Sequence, residues 1–160
     1  MGEVTVRDLQ HIRNFLKLDD RISSGGMPEP QDFAALRKAG FETVINLAMP
    51  TSDYAMPNEG ELVSAQGMTY VHIPVNFEAP QSSDFERFAK IMDACAGQRV
   101  FVHCAANKRV SAFLFLYRMR SGAVRREAAE ADIKRIWEPD PIWRAFIDRE
   151  LTALGQEPVK

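Results

Sequence analysis

Cysteine is scarce: two in 160 residues, Cys95 and Cys104, nine positions apart. That is too few for a secreted disulfide scaffold and suits a reducing compartment. No run approaches the roughly 18 consecutive apolar residues of a membrane-spanning helix. The start, MGEVTVRDLQ, carries Glu3 and Asp8 where a secretory signal has a basic start and an apolar stretch, so a cytoplasmic location is expected. Gly2 follows Met1, but Val6 stands where a myristoylation signal needs Ser or Thr. Charge of one sign is lacking too: 20 Lys and Arg against 22 Asp and Glu leave a formal −2, which gives no reason to expect a nucleic acid or a membrane surface as partner. Any anion recognition must be local. Low-complexity segments and repeats of solenoid period are absent, and the length fits one domain rather than two.

What is present is an alternation of short β-rich runs and longer helical ones, punctuated by Gly and Pro, which is the α/β pattern. Arg21–Ser24 reads as a short edge strand ending at Gly25-Gly26, and Pro28–Gly40 as a helix closed by its glycine. Thr43–Leu47 has the β-branched, apolar character of a buried strand, Asn58–Gln66 reads as helix, and Met68–Val75 as a strand whose ladder Pro74 must interrupt. A helix follows from Ser82 to about Ala96, with Phe85, Phe88, Ile91 and Met92 at helical spacing. Arg99–His103 is a short apolar strand, and helices are expected over Ser111–Ser121, Val124–Trp137 and Pro141–Leu154.

The segment that carries chemistry is Val102-His103-Cys104-Ala105-Ala106-Asn107-Lys108-Arg109-Val110-Ser111, a strand, a small-residue loop and a helix start. In open α/β sheets ligands gather beyond the carboxyl ends of the strands, and Cys104 stands there. Converging backbone N–H groups, the positive end of the helix dipole and Arg109 all favour an anion, hence the thiolate, which is the nucleophilic form of cysteine. The same N–H basket, from Ala105, Ala106, Asn107, Lys108 and Val110, with the planar fork of Arg109, suits a tetrahedral oxyanion such as phosphate or sulfate.

With Ser24-Gly25-Gly26-Met27-Pro28, Ala39–Leu47, Gly67–Val75 and Val100–Cys104 in this order and spacing, the chain resembles the dual-specificity branch of the protein tyrosine phosphatase superfamily. The likeness is strongest to its small bacterial members with an SGxP-type element near the start. The resemblance implies a single domain with a mostly parallel four- or five-stranded sheet flanked by helices. In that reading residues 20–154 are the catalytic core, 1–19 an N-terminal extension and 155–160 a tail. It implies a Cys104 nucleophile forming a cysteinyl-phosphate, an Arg clamp on the phosphoryl oxygens, a hydroxyl at Ser111 aiding thiolate departure and His103 ordering the loop. An Asp general acid is implied on the loop after the preceding strand, with no metal and no cofactor. The expected partner is a phosphorylated protein or a small phosphate ester.

Two positions depart from the family pattern. Cys-x5-Arg is usual, but Arg109 follows Cys104 after four residues, and Val110 stands where the guanidinium is expected. In a helix one residue turns the side chain by about 100°; otherwise the loop is a tighter six-residue basket. Asn107 replaces the usual Gly, tolerably, since Asn accepts the left-handed conformation. The Asp is expected at about Phe77, which Asn76 and Glu78 flank, so Glu78 becomes the candidate general acid and Asp140 a more remote one.

The shorter loop leaves two alternatives open: a catalytically weak phosphate-binding module, and a sulfurtransferase resembling rhodanese, which uses a six-residue loop. The absence of a strand signal after Ser121 favours the phosphatase branch over the latter. His11 and His72 read as structural, Cys95 as core or, less simply, as a disulfide partner for Cys104. Arg118, Arg120, Arg125 and Arg126 read as an anion-attracting rim or an ordinary solvated face, and Trp137, Trp143 and Phe146 as core.

Overall fold

The computed structural model describes residues 9–158; the Gly2–Val6 start lies outside them. Five strands, β1 (Leu16–Lys17), β2 (Ile22–Gly25), β3 (Thr43–Asn46), β4 (Thr69–His72) and β5 (Val100–His103), make one sheet in the order β1-β2-β5-β3-β4. All neighbours run parallel except β1, which pairs antiparallel with β2. β2 is therefore an inner strand rather than the edge strand expected, because the two residues of β1 cover its free side. Part of the stretch read as an extension is integral to the fold, since Leu9 and Ile12 are buried and β1 joins the sheet.

Six helices, α1 (Asp32–Lys38), α2 (Glu59–Ala65), α3 (Ser82–Ala94), α4 (Lys108–Ser121), α5 (Arg126–Ile136) and α6 (Pro141–Ala153), cover both faces. The period-2 alternation of the strands sorts the core into two layers. Val100, Val102 and Cys104 join Ile45 in the cluster with α3, α4 and α6 residues, while Phe101 and Val44 join the cluster containing Phe33, Leu36 and Val63 of α1 and α2. Burial on both faces is why these strands are near-continuously apolar. α4 is the central helix, buried from Arg109 to Leu116, so its apolar residues run all round it instead of along one stripe.

Element limits differ from expectation for local reasons. α1 is shorter, since Pro28 and Pro30 hold the chain out of the helix until Asp32. β4 ends at His72, ahead of Pro74, which has no N–H to give the ladder. α4 starts at Lys108, three residues before Ser111, because Asn107 takes the left-handed conformation (φ 68°) and turns the chain directly into the helix. Trp143 and Phe146 are fully buried as expected, whereas Trp137 is only half-buried. Among the described residues no helix is long and apolar enough to cross a membrane.

Candidate active site

The register sets Gly25 and Asn46 on either side of His103, so the segments leaving β2, β3 and β5 emerge together at one edge of the sheet. The loop after β5 is tied down by its carbonyls. Met27 N–H donates to the Ala105 carbonyl at 3.1 Å, Asn14 Nδ2 donates to the Ala106 carbonyl at 3.0 Å, and Leu47 N–H donates to the His103 carbonyl at 2.8 Å. Asn107 Nδ2 in turn donates to the Asn14 carbonyl (2.8 Å) and to Ser24 Oγ (3.0 Å). With the carbonyls engaged, the backbone N–H groups of Ala105, Ala106, Lys108, Arg109 and Val110 have no hydrogen-bond acceptor among the described residues. They stand at the N-terminus of a 14-residue helix, where the dipole favours negative charge.

Beside this loop lies an open cavity of about 430 Å³. Cys104, Ala105, Ala106, Lys108 and Arg109 form one side; Ser52 and Asp53, from the segment after β3, and Asn76, Phe77 and Glu78, from the segment after β4, form the others. Cys104 is nearly inaccessible (1% exposed). Arg109, in the first turn of α4, is also buried, and Nη1 donates to the Val75 carbonyl at 3.0 Å while both terminal nitrogens lie 3.4 Å from Ser52 Oγ. Nε is buried without a partner among the described residues. Arg109 and Val110 both lie in the first turn of α4, so the helical case holds and their side chains point about 100° apart. Val110, at the position of the expected guanidinium, is fully buried in the core, and the early helix start brings Arg109 to the cavity instead.

Other expected residues are placed elsewhere. Ser111 Oγ donates to the Lys108 carbonyl (2.7 Å) and accepts from Trp137 Nε1 (3.0 Å), and the residue is not part of the cavity wall. His103 is fully buried and faces away from the cavity, towards Glu59. Asp140 caps α6, accepting from Trp143 N–H at 2.9 Å, and is not part of the wall. Phe77, at the expected Asp position, packs against Trp137 and Trp143 (ring centroids 5.7 and 5.8 Å) and under Arg109 (5.8 Å), and its carbonyl accepts from Trp143 Nε1. An aromatic therefore belongs at that position. Glu78 does line the cavity and is exposed.

Cys95 and Cys104 are both free thiols. Cys95 sits by Arg21 and Gln98, before β2 and β5. Cys104 lies beyond the other end of β5, and that strand alone spans roughly 13 Å, too far for a disulfide. The basic residues read as a rim pair with carboxylates: Arg118 with Asp132, Arg120 with Asp93, Arg125 with Glu127 and Arg126 with Glu130. His72 Nε2 meets the Ala48 carbonyl and His11 meets Asp32. Among the described residues no group of three His, Cys, Asp or Glu side chains is placed to hold a metal ion.

Sequence reasoning missed Ser52, Asp53 and Glu59. The first two follow the carboxyl end of β3, where ligand contacts gather, so that signal was available. Glu59 opens α2 and reads locally as a dipole partner. A second cavity, about 380 Å³, shares Ala105 with the first and is lined by Arg13, Met27, Tyr54 and Met56. The Arg13 guanidinium lies 4.2 Å from the centre of the exposed Tyr54 ring.

A family model described as DSP-PTPase phosphatase fused to NAD+ kinase matches residues 6–141. A solved DUF442 protein of phosphatase type from Shewanella putrefaciens CN-32 superposes with a TM-score of 0.85 at 35% identity, over 94% of this chain and 99% of that one. TpbA of P. aeruginosa shares the fold (TM-score 0.67, 15% identity, 90% and 92% covered). The beta-lactamase hydrolase-like protein of Agrobacterium fabrum (strain C58) is 27% identical over 118 residues; these are 72% of this chain but 27% of that protein's length.

Proposed function

Because the chain belongs to the DSP-PTPase phosphatase family matched over residues 6–141, we propose that it hydrolyses phosphate monoesters through a cysteinyl-phosphate on Cys104. The observation that carries this reading is the meeting, in one cavity, of Cys104, a buried Arg109 with an unpartnered Nε, and loop amides lacking acceptors among the described residues. Cys104 Sγ attacks phosphorus, the bond from phosphorus to the ester oxygen breaks, and the leaving oxygen takes a proton from Glu78. Water then attacks phosphorus while its proton passes to the Glu78 carboxylate, the P–S bond breaks, and phosphate and the Cys104 thiolate are released, restoring the protonated Glu78. Arg109 and the amides stabilise the charge on the equatorial oxygens. Ser111, held by Lys108 and Trp137, acts by fixing the first turn of α4.

The substrate is a phosphorylated side chain of a protein or a small phosphate ester. The second cavity, which shares the lining residue Ala105 with the first, lies where the alcohol portion would extend. Proteins of this fold have been solved with phosphotyrosine (P. aeruginosa TpbA) and with PI(5)P (PTPMT1), at 14% identity each; this agrees with a phosphate monoester and does not choose its alcohol.

The test is hydrolysis of an aryl phosphate across about pH 5–8, a range around thiolate ionisation, with reductant and without metal, comparing wild type with Cys104→Ser. Turnover lost in Cys104→Ser while orthophosphate still binds is expected. Turnover retained in Cys104→Ser overturns the thiolate mechanism. Phosphate binding without turnover in the wild type leaves the binding-module reading, which the lack of an Asp on the segment after β4 favours. The six-residue loop makes thiosulfate:cyanide transfer the next assay, although only α5 and α6 follow α4 among the described residues.

A further inference from the structure

Glu59 is a carboxylate with no solvent: it is 1% exposed, and its partner His103 is fully buried. Burying a carboxylate is costly unless it is paired and hydrogen-bonded. A helix-dipole role would leave the side chain at the surface, whereas this one turns into the sheet. There Oε2 pairs with His103 Nε2, and Oε1 accepts from Asn46 Nδ2 at 3.1 Å. Asn46 is itself fixed: Nδ2 also donates to the Tyr70 hydroxyl oxygen (3.1 Å), and Oδ1 accepts from Ala48 N–H (2.8 Å). The other ring nitrogen of His103, Nδ1, lies 3.2 Å from the carbonyl oxygen of Cys104.

We infer that Glu59 is a positioning residue for the nucleophile: through His103 it holds the carbonyl of Cys104, and so sets the thiol and the first amides of the loop towards the bound phosphoryl group. The kinetic part of this inference rests on the phosphatase reading.

The donors and acceptors around His103 fix what position 59 must supply. The Cys104 carbonyl can only accept, an ionised carboxylate can only accept, and a neutral imidazole has a single N–H. Both ring contacts are hydrogen bonds only if the pair holds one proton more than a neutral imidazole and a carboxylate. Glutamine can meet the same demand. Its NH₂ donates to Nε2, the ring keeps N–H on Nδ1 for the Cys104 carbonyl, and its carbonyl still accepts from Asn46. Leucine, of similar size, can do neither.

The experiment compares Glu59→Leu, Glu59→Gln and Tyr70→Phe with wild type by aryl-phosphate kinetics, by the rate of Cys104 alkylation with iodoacetamide, and by thermal unfolding. Tyr70→Phe disturbs the same network on the side remote from Cys104 and serves as the stability control. Glu59→Leu should lower kcat/KM about 10²-fold, the penalty of misplacing a reacting group by about 1 Å, and should move the alkylation rate by about an order of magnitude. Glu59→Gln should restore both to within about tenfold, as expected where bonding and not charge is required, and Tyr70→Phe should lose stability with kcat unchanged.

Wild-type kcat/KM in Glu59→Leu, equal losses in Glu59→Leu and Glu59→Gln, or a comparable loss of kcat in Tyr70→Phe would each overturn the inference. If Glu59→Leu does not fold, Glu59→Gln decides alone: retained activity supports it, and a loss of about 10²-fold overturns it. Should the wild type show no Cys104-dependent turnover, the phosphatase reading fails separately, and the alkylation rates, which need no substrate, still decide the role of Glu59.

Discussion

The β-carbon that Gly26 lacks would lie 2.5 Å from the carbonyl oxygen of Ala105. Real side chains do not approach backbone that closely, so the segment after β2 can clasp the Cys104 loop only because residue 26 is glycine. Two hydrogen bonds depend on this approach: Gly26 N–H to the Arg13 carbonyl (2.7 Å) and Met27 N–H to the Ala105 carbonyl (3.1 Å). Gly26→Ala must push the loop away, since every nearby atom is backbone. The expected cost is about 1–3 kcal/mol of stability, as for other overpacked sites, with kcat/KM down about 10²-fold from displacement of the loop. Urea unfolding together with aryl-phosphate kinetics checks both.

Arg109 reaches the cavity with its guanidinium held on one side by the Val75 carbonyl. A planar fork can keep that bond and still present further N–H groups to an oxyanion; the point charge of lysine cannot reproduce this. Arg109→Lys should therefore lose about 10²–10³-fold in kcat, the scale of removing an oxyanion donor, despite its conserved charge. Arg109→Ala should weaken both turnover and orthophosphate affinity. Kinetics with orthophosphate as competitive inhibitor measures the two effects separately.

Period and punctuation made β3, β5, α3 and α6 legible within a few residues, and the strand-loop-helix context placed Cys104 at the mouth of the sheet. What sequence could not reveal is non-local. β1 has two residues and no period to detect. Asn14 meets the loop 92 residues away, Ser52 meets Arg109 across 57 and Glu59 meets His103 across 44. The orientation of Arg109 was unreadable for a related reason: it depends on whether α4 begins at Lys108 or Ser111, and the left-handed Asn107, clamped by Asn14 and Ser24, decides that. Phe77 looked like a missing acid because the aromatic pair that holds it, Trp137 and Trp143, lies 60 and 66 positions further on.

Two exposed carboxylates, Asp53 and Glu78, face the cavity from different segments. A general acid matters more as the leaving group becomes more basic, which separates their roles. Glu78→Gln should have a small effect on p-nitrophenyl phosphate but lower kcat by about 10²–10⁴-fold on an alkyl phosphate. Asp53→Asn should show the same ratio as wild type on the two substrates. The reverse pattern would transfer the acid role to Asp53.

Burial pushes the Tyr70 hydroxyl up to about 12 from 10.0; the Asn46 amide opposes this shift and the nearby Glu59 charge adds to it. The folded state therefore keeps the phenolic proton at a pH where the unfolded chain releases it, and unfolding is favoured as pH rises. The stabilisation is complete below about pH 10, the unfolded value, and is lost between there and about 12. Tyr70→Phe should cost about 1 kcal/mol at neutral pH through the lost bond with Asn46, and it removes this titration. The stability difference between wild type and Tyr70→Phe should consequently hold constant from neutral to mildly basic pH, then shrink above about pH 10, with lysine and arginine titrations common to both proteins cancelling. Urea unfolding of the two at pH 8, 10 and 11, values that bracket the ordinary tyrosine pKa of roughly 10, measures it; a difference that grows with pH would show that the Tyr70 hydroxyl is stabilised as the anion.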